Sequence, residues 1–182
     1  MPTKILDSTT IIAFDKEIVC VDILGIMART YKTCISHEVS KECRSSPRID
    51  EFMRTTSVYS KDLITLEKAS KYLEKRYNYR LGAGERSSIS LSIMLSLRGI
   101  DNYLVTDDKY ARSVADNIHL DCRIGEIFDS NIQKIKYTGT IGLIKRLVER
   151  GTIDKEVLNP IAEDIENGSF RASPELLSFL RS

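Results

Sequence analysis

The chain has 182 residues, 42% of them hydrophobic and 29% charged, which is the balance of an ordinary globular protein with enough length for one domain and a sizeable core. Lys plus Arg number 27 and Asp plus Glu 26, a net charge of +1. This excludes a global electrostatic case for nucleic acid, so any basic footprint has to be local.

In chain order, Lys4-Ile5-Leu6 is a short apolar strand that reaches Asp7. Ser8 and Thr9 are the natural caps of a helix opened by Ile11, Ile12, Ala13 and Phe14. Residues 18–31 read equally as strand or helix by periodicity. Thr33-Cys34-Ile35 is a second short strand, and Ser36 caps a helix, HEVSKECR, that carries Glu38 and Glu42. Ser45 to Pro47 form a break, and Asp50 to Ser60 follow no clear period. Leu63, Leu66, Ala69, Tyr72 and Leu73 predict a helix from Leu63 to Tyr79. Gly82 and Gly84 punctuate the chain before a helix that begins around Glu85 and ends near Gly99.

A third strand, Tyr103 to Thr106, ends in Asp107-Asp108, and Tyr110, Val114 and Ala115 mark the helix after it. Cys122 to Ile124 is a candidate short strand, with Ile127-Phe128 in a loop. Gly139-Thr140-Ile141-Gly142 starts a helix, GLIKRLVER, stopped by Gly151. Two more helices, Asp154–Glu166 and Pro174–Arg181, are separated by Asn167-Gly168. Short strands alternating with helices predict an α/β fold with a parallel sheet covered on both faces and a helical C-terminal appendix.

No apolar run approaches the roughly 18 residues of a membrane helix, and MPTKILDSTT lacks a secretory apolar region, so no membrane association is expected. Cys20, Cys34, Cys43 and Cys122 form no CxxC pair and no Cys/His ligand spacing. A reduced, cytoplasmic setting is the expectation, with most of these thiols acting as small buried apolar groups.

The Gly-rich LGAGER does not fit a nucleotide loop. A dinucleotide fingerprint requires a preceding strand and a third glycine where this chain has Ser87, and a phosphate loop requires Gly-Lys-Ser/Thr. Gly82 and Gly84 instead deliver Glu85 onto a helix N-terminus, where an acid also simply complements the macrodipole. Asp107-Asp108 has a comparable plain role in helix capping, but two adjacent acids repel unless a cation neutralises them. Asp7, Glu85 and Asp107-Asp108 stand apart from the other acids because each lies at the end of a predicted element. Acids that converge on one sheet edge are suited to holding divalent metal ions.

His37 and His119 lie in unrelated contexts, and no Ser-His-Asp or Cys-His arrangement is visible. Lys71, Lys75, Arg76 and Arg80, interleaved with Tyr72, Tyr77 and Tyr79, can grip phosphates and stack bases, or can form an ordinary solvated helix face.

The segments DSTTIIAF, ISHEVSKEC, GAGERSSISLSI, LVTDDKYAR and GTIGLIKRLVERG occur in the order seen in PIN-domain proteins, and FRASPELLSFL resembles the C-terminal appendix of the prokaryotic VapC-like toxin subgroup. The resemblance implies a three-layer α/β/α sandwich over residues 1–151, with 152–182 as a helical appendix packed on the same domain. It also implies an endoribonuclease that uses Mg²⁺ or Mn²⁺. By motif, Asp7, Glu42, Glu85 and Asp108 match the metal-holding acids, with Asp107 a further contributor. Ser8 and Thr106 match small polar positions that support the ligands. The residues alone do not select Glu42 over Glu38; the resemblance does.

Ser36 stands where the family usually has Pro, Cys43 where Leu is usual, and the 48–80 span is longer than in a compact toxin. RNA as substrate, an antitoxin as partner and a homodimer are what the resemblance implies. The alternatives are an inactive nucleic-acid or partner-binding module of the same fold, and a Rossmann-like phosphate binder, which lacks its loop here.

Overall fold

A computed structural model describes residues 2–18, 20, 22–43, 47–60, 64–77 and 80–182. Five strands form one sheet: β1 (Thr3–Leu6), β2 (Thr33–Ser36), β3 (Ser57–Tyr59), β4 (Asn102–Val105) and β5 (Tyr137–Thr138). Their order is β3-β2-β1-β4-β5 and every pairing is parallel. The helices are α1 (Ser8–Ile12), α2 (Asp22–Thr30), α3 (His37–Cys43), α4 (Asp50–Thr55), α5 (Ile64–Tyr77) and α6 (Ala83–Leu97). After β4 come α7 (Lys109–Asn117), α8 (Cys122–Phe128), α9 (Thr140–Glu149), α10 (Leu158–Asn167) and α11 (Pro174–Leu180).

The register explains why both faces are covered. Ser57, Cys34, Ile5, Leu104 and Tyr137 lie in one row across the five strands. Side chains alternate faces along a strand. Ile5, Cys34 and Leu104 therefore enter one buried cluster, with Leu73 of α5, Ile89 and Ile93 of α6, Val114 of α7 and Ile124 of α8. Their neighbours Leu6, Ile35 and Val105 enter the other, with Ile11 and Phe14, Leu24 of α2, Phe52 of α4, Leu147 of α9 and Ile161 of α10. The result is a three-layer α/β/α sandwich, as expected. Leu158, Ile165 and Leu180 belong to the second of these clusters, so α10 and α11 complete its apolar filling.

Several local expectations are corrected. Asp7, not Ser8 or Thr9, is the N-cap of α1, its carboxylate accepting from the Ser8 amide at 2.9 Å. The ambiguous 18–31 stretch contains helix α2 over Asp22–Thr30; Val19 and Val21 lie outside the described residues. The unpatterned 50–60 stretch holds α4 and the edge strand β3, whose exposed side chains give no periodic signal. Cys122–Ile124 is not a strand, and Ile127-Phe128 is not a loop. Asp121 caps α8 there by accepting from the Arg123 amide at 3.2 Å, and the helix ends at Asp129 with φ of 46°. β5 had no counterpart in the sequence reading. The helix expected from Asp154 is a 3-10 turn over Lys155–Val157 followed by α10. Ser45, Leu63 and Tyr79, which the sequence placed in a break and at the two ends of α5, lie outside the described residues.

Gly99 (φ 70°) and Gly151 (φ 65°) follow α6 and α9 in the left-handed region, which explains why those helices stop where the sequence expects.

Candidate active site

The chain leaves β1 towards β2 on one side and reaches β4 on the other, so the crevice outside the carboxyl ends of β1 and β4 is the topological switch point of the sheet. In open α/β sheets this is where ligands bind. Asp7 follows β1 and Thr106-Asp107-Asp108 follow β4, so the strand-end acids meet here.

Asp7 is fully buried. Its Oδ1 accepts from the Ser8 amide, and its Oδ2 accepts from the Thr106 hydroxyl at 2.8 Å and the Thr9 hydroxyl at 3.0 Å. Those three donors stabilise the ionised form, but burial and the nearby Glu85 charge outweigh them and push the carboxyl up to about 7. Among the described residues, no lysine or arginine pairs with Asp7. An ionised carboxylate offers about four acceptor positions, so one remains open beside an uncompensated buried charge. That is the position a cation would fill.

Glu85 stands in the first turn of α6, after the N-cap Gly82, with its carboxylate folded back against Gly82. Ser87 fixes this end of the helix: its hydroxyl donates to the Gly84 carbonyl at 2.8 Å and shares a 2.6 Å hydrogen bond with Ser36 at the end of β2. The serine at position 36 thus ties the α6 N-terminus to the sheet.

The structure separates the two acids of α3. Glu38 pairs with Lys41 at 3.4 Å on the surface. Glu42 turns to the α6 N-terminus, where its Oε2 lies 2.5 Å from the point a Cβ on Gly84 would occupy; the Ser8 hydroxyl lies 3.0 Å from the same point. Glycine at 84 lets Glu42 and Ser8 approach α6. Ser8 is therefore placed beside the acids in two ways, by its amide on Asp7 and its hydroxyl near Glu42.

Asp108 is the N-cap of α7, its Oδ1 accepting from the Ala111 amide at 2.6 Å, while its own amide donates to the Thr106 hydroxyl at 3.2 Å. Thr106 thus links Asp7 and Asp108 through one hydroxyl. Asp107 is committed differently. It accepts from Arg112 at 3.0 Å, from the Thr140 amide at 3.1 Å and from the Thr140 hydroxyl. Arg112 also donates twice to the Thr106 carbonyl, at 2.9 and 2.7 Å. The repulsion between the adjacent acids, expected to require a metal, is relieved at Asp107 by a guanidinium and a helix N-terminus.

The contacts of Thr9 with Asp7 and of Arg112 and Thr140 with Asp107 are not among the expectations from sequence. Thr9 was legible in principle, as a hydroxyl two residues beyond a strand-end acid. Arg112 stands at helical spacing from Asp108, yet it turns to Asp107, and Thr140 is distant in sequence.

The basic residues of α5 divide. Lys71, Lys75 and Arg76 line a groove of about 870 Å³ that faces α8. Lys71 pairs with Glu67 at 2.7 Å, and Arg76 lies 3.7 Å from Asp121. Arg80 is not among the lining residues and sits over the Tyr110 ring at 5.7 Å. Lys71 also lines a second groove, of about 490 Å³, that reaches Ala83 and Ser87 at the start of α6.

A family model described as a PIN domain matches residues 3–127, the span from β1 to α8. The chain belongs to the PIN-domain family. PIN domains are generally nucleases that act on nucleic acid and typically use divalent metals. No curated protein and no solved structure matches the chain.

Among the described residues, no three carboxylate, histidine or cysteine side chains stand close enough together to enclose an ion. Mg²⁺, however, keeps several waters and takes only one or two protein carboxylates. The buried, unpaired Asp7 with Glu85 beside it fits that mode of binding. Among the described residues, no helix is long and apolar enough to cross a membrane.

Proposed function

We propose that the protein is an endoribonuclease that cleaves single-stranded RNA at the switch-point crevice, where Asp7 and Glu85 would hold Mg²⁺ or Mn²⁺ directly and Glu42 and Asp108 would hold it through the ion's own waters. The observation that carries this reading is Asp7, a buried carboxylate with a second acid beside it and, among the described residues, no cationic side chain to balance it. When bound, the metal supplies a water of lowered pKa and positive charge at the scissile phosphate. The chain's own residues perform the positioning. Ser8, Thr9 and Thr106 hold the Asp7 carboxylate in one orientation. Thr106 fixes Asp108 relative to it, and Gly84 leaves room for Glu42. Asp107 is assigned to the framework, with Arg112 and Thr140, rather than to the metal.

Lys71, which borders both grooves, supports a track for the RNA backbone running from the α6 N-terminus along α5, with Lys75 and Arg76 as further phosphate contacts. Arg80 contributes less directly, since its guanidinium covers Tyr110.

The test compares wild type with the Asp7→Asn/Asp108→Asn variant on single-stranded RNA, in Mn²⁺ and in EDTA. Cleavage by wild type alone, and only with metal, is expected. Absence of cleavage together with no metal-dependent rise in melting temperature would instead favour an inactive binding module of the same fold.

A further inference from the structure

A second polar site lies at the opposite end of β1 and β4 from the acids. Lys4, in the middle of β1, is 2% exposed, an unusual place for an ammonium that has no ion pair among the described residues. Its Nζ lies 4.1 Å from the centroid of the Tyr103 ring and 5.1 Å from that of Tyr31. Two arginines from the last turns of α9 and its end converge on the same rings: Arg146 over Tyr103 at 5.1 Å and Arg150 over Tyr31 at 5.1 Å. These five side chains and Glu149 line a recess of about 300 Å³.

The charges in this recess do not balance. Among the described residues, Lys4, Arg146 and Arg150 form no ion pair. Two acids lie nearby and offset part of this charge: Glu149, which lines the recess and is 3.9 Å from Lys145, and Asp101, which pairs with Lys136 at 2.8 Å. The Tyr31 hydroxyl is buried and, among the described residues, has no hydrogen-bond partner. Ring faces alone do not compensate three mutually repelling cations, and the repulsion is visible at Lys4, which burial and the two arginines together lower to about 8. The recess therefore has a donor set for an anion: two planar guanidinium forks, an ammonium and a free hydroxyl.

We infer that the Lys4–Arg146–Arg150 recess binds a phosphate group, either orthophosphate or the terminal phosphate of a mononucleotide. A terminal phosphate carries nearly two charges and three exposed oxygens, matching three cations and one hydroxyl better than a carboxylate does. The volume admits more than a single phosphate, so the nucleotide remains a source to be distinguished by experiment. The site is independent of the proposed RNA cleavage, and its test does not use that activity.

The experiment is calorimetric melting of the full chain in EDTA at neutral pH, with ionic strength held constant by NaCl, titrating orthophosphate, 5′-AMP and adenosine separately. A saturable rise in melting temperature with orthophosphate or AMP, absent with adenosine, is expected for wild type. Arg146→Gln/Arg150→Gln, at two positions that are not buried, should weaken the apparent affinity by at least about tenfold. Lys4→Met should melt higher than wild type without phosphate, because a buried uncompensated charge is removed, and should lose the response. AMP acting at much lower concentration than orthophosphate identifies the nucleotide; equal potency identifies the phosphate group alone. No rise beyond the NaCl control, an undiminished rise in the double-arginine variant, or an equal effect of adenosine would overturn the inference.

Discussion

At the residue scale, the balance around Asp7 has a measurable consequence. Its carboxyl is raised from 3.8 to about 7, chiefly by burial and then by Glu85, so the folded chain retains a proton that the unfolded chain releases in this interval. Without metal, stability therefore falls as pH rises from about 4 to about 7. The full cost is in place above that range, on the order of 4 kcal/mol. In EDTA at about pH 8, Asp7→Asn is expected to have a higher urea midpoint than wild type, with the difference closing towards about pH 4. Parallel midpoints across that range would show that Asp7 carries no such penalty. Adding Mg²⁺ should raise wild type and leave the variant unchanged, since only wild type retains the buried charge that the ion would compensate.

The two acids after β4 show how element boundaries decide a residue's role. Each caps a helix, but not the same one: Asp108 caps α7, which it begins, while Asp107 reaches across to α9, whose own N-cap, Gly139, has no side chain to offer. Replacing Asp107 with Ala removes the acceptor for the Thr140 amide and hydroxyl and leaves Arg112 without its carboxylate. A loss of about 1–3 kcal/mol in chemical denaturation is expected, with the metal-induced rise in melting temperature preserved. Unchanged stability with a lost metal response would instead assign Asp107 to the metal. The same reasoning distinguishes Glu42 from Glu38. The residues alone offer two acids on one short helix and the family resemblance points to Glu42; their neighbours, Lys41 for Glu38 and Gly84 of α6 for Glu42, supply the physical difference.

For the whole molecule, the second apolar cluster joins β1, β2 and β4 to α1, α2, α9, α10 and α11 without a break. We therefore propose that residues 152–182 are part of the folding unit rather than a separate lobe. Ile161 of α10 is 1% exposed within that cluster. Ile161→Ala should cost about 2–5 kcal/mol and leave a single unfolding transition followed alike by fluorescence of the tyrosines and by circular dichroism. A separate early transition, with the rest of the molecule unaffected, would make the C-terminal helices an independent element.

The sequence by itself determined the α/β alternation, the three inner strands, and the placement of Asp7 and Asp108 at strand ends. These are local properties: apolar runs of strand length, caps, and glycines where helices stop. The family resemblance, rather than any local property, points to Thr106 beside those acids, where its hydroxyl donates to Asp7 and accepts from the Asp108 amide. Only the tertiary structure decided the edge strands β3 and β5, which exist because their backbones pair with β2 and β4 and carry too few residues for a periodic signal. The same holds for the contacts of Thr9 and Thr140 with the strand-end acids, and for the neighbours that set Glu42 apart from Glu38. It also holds for Lys4, whose position in an apolar strand gave no sign of the two arginines and two rings that the fold brings around it. Pairings across long stretches of chain leave no mark on the periodicity of either partner, and they set the charge balance at both ends of the central strands.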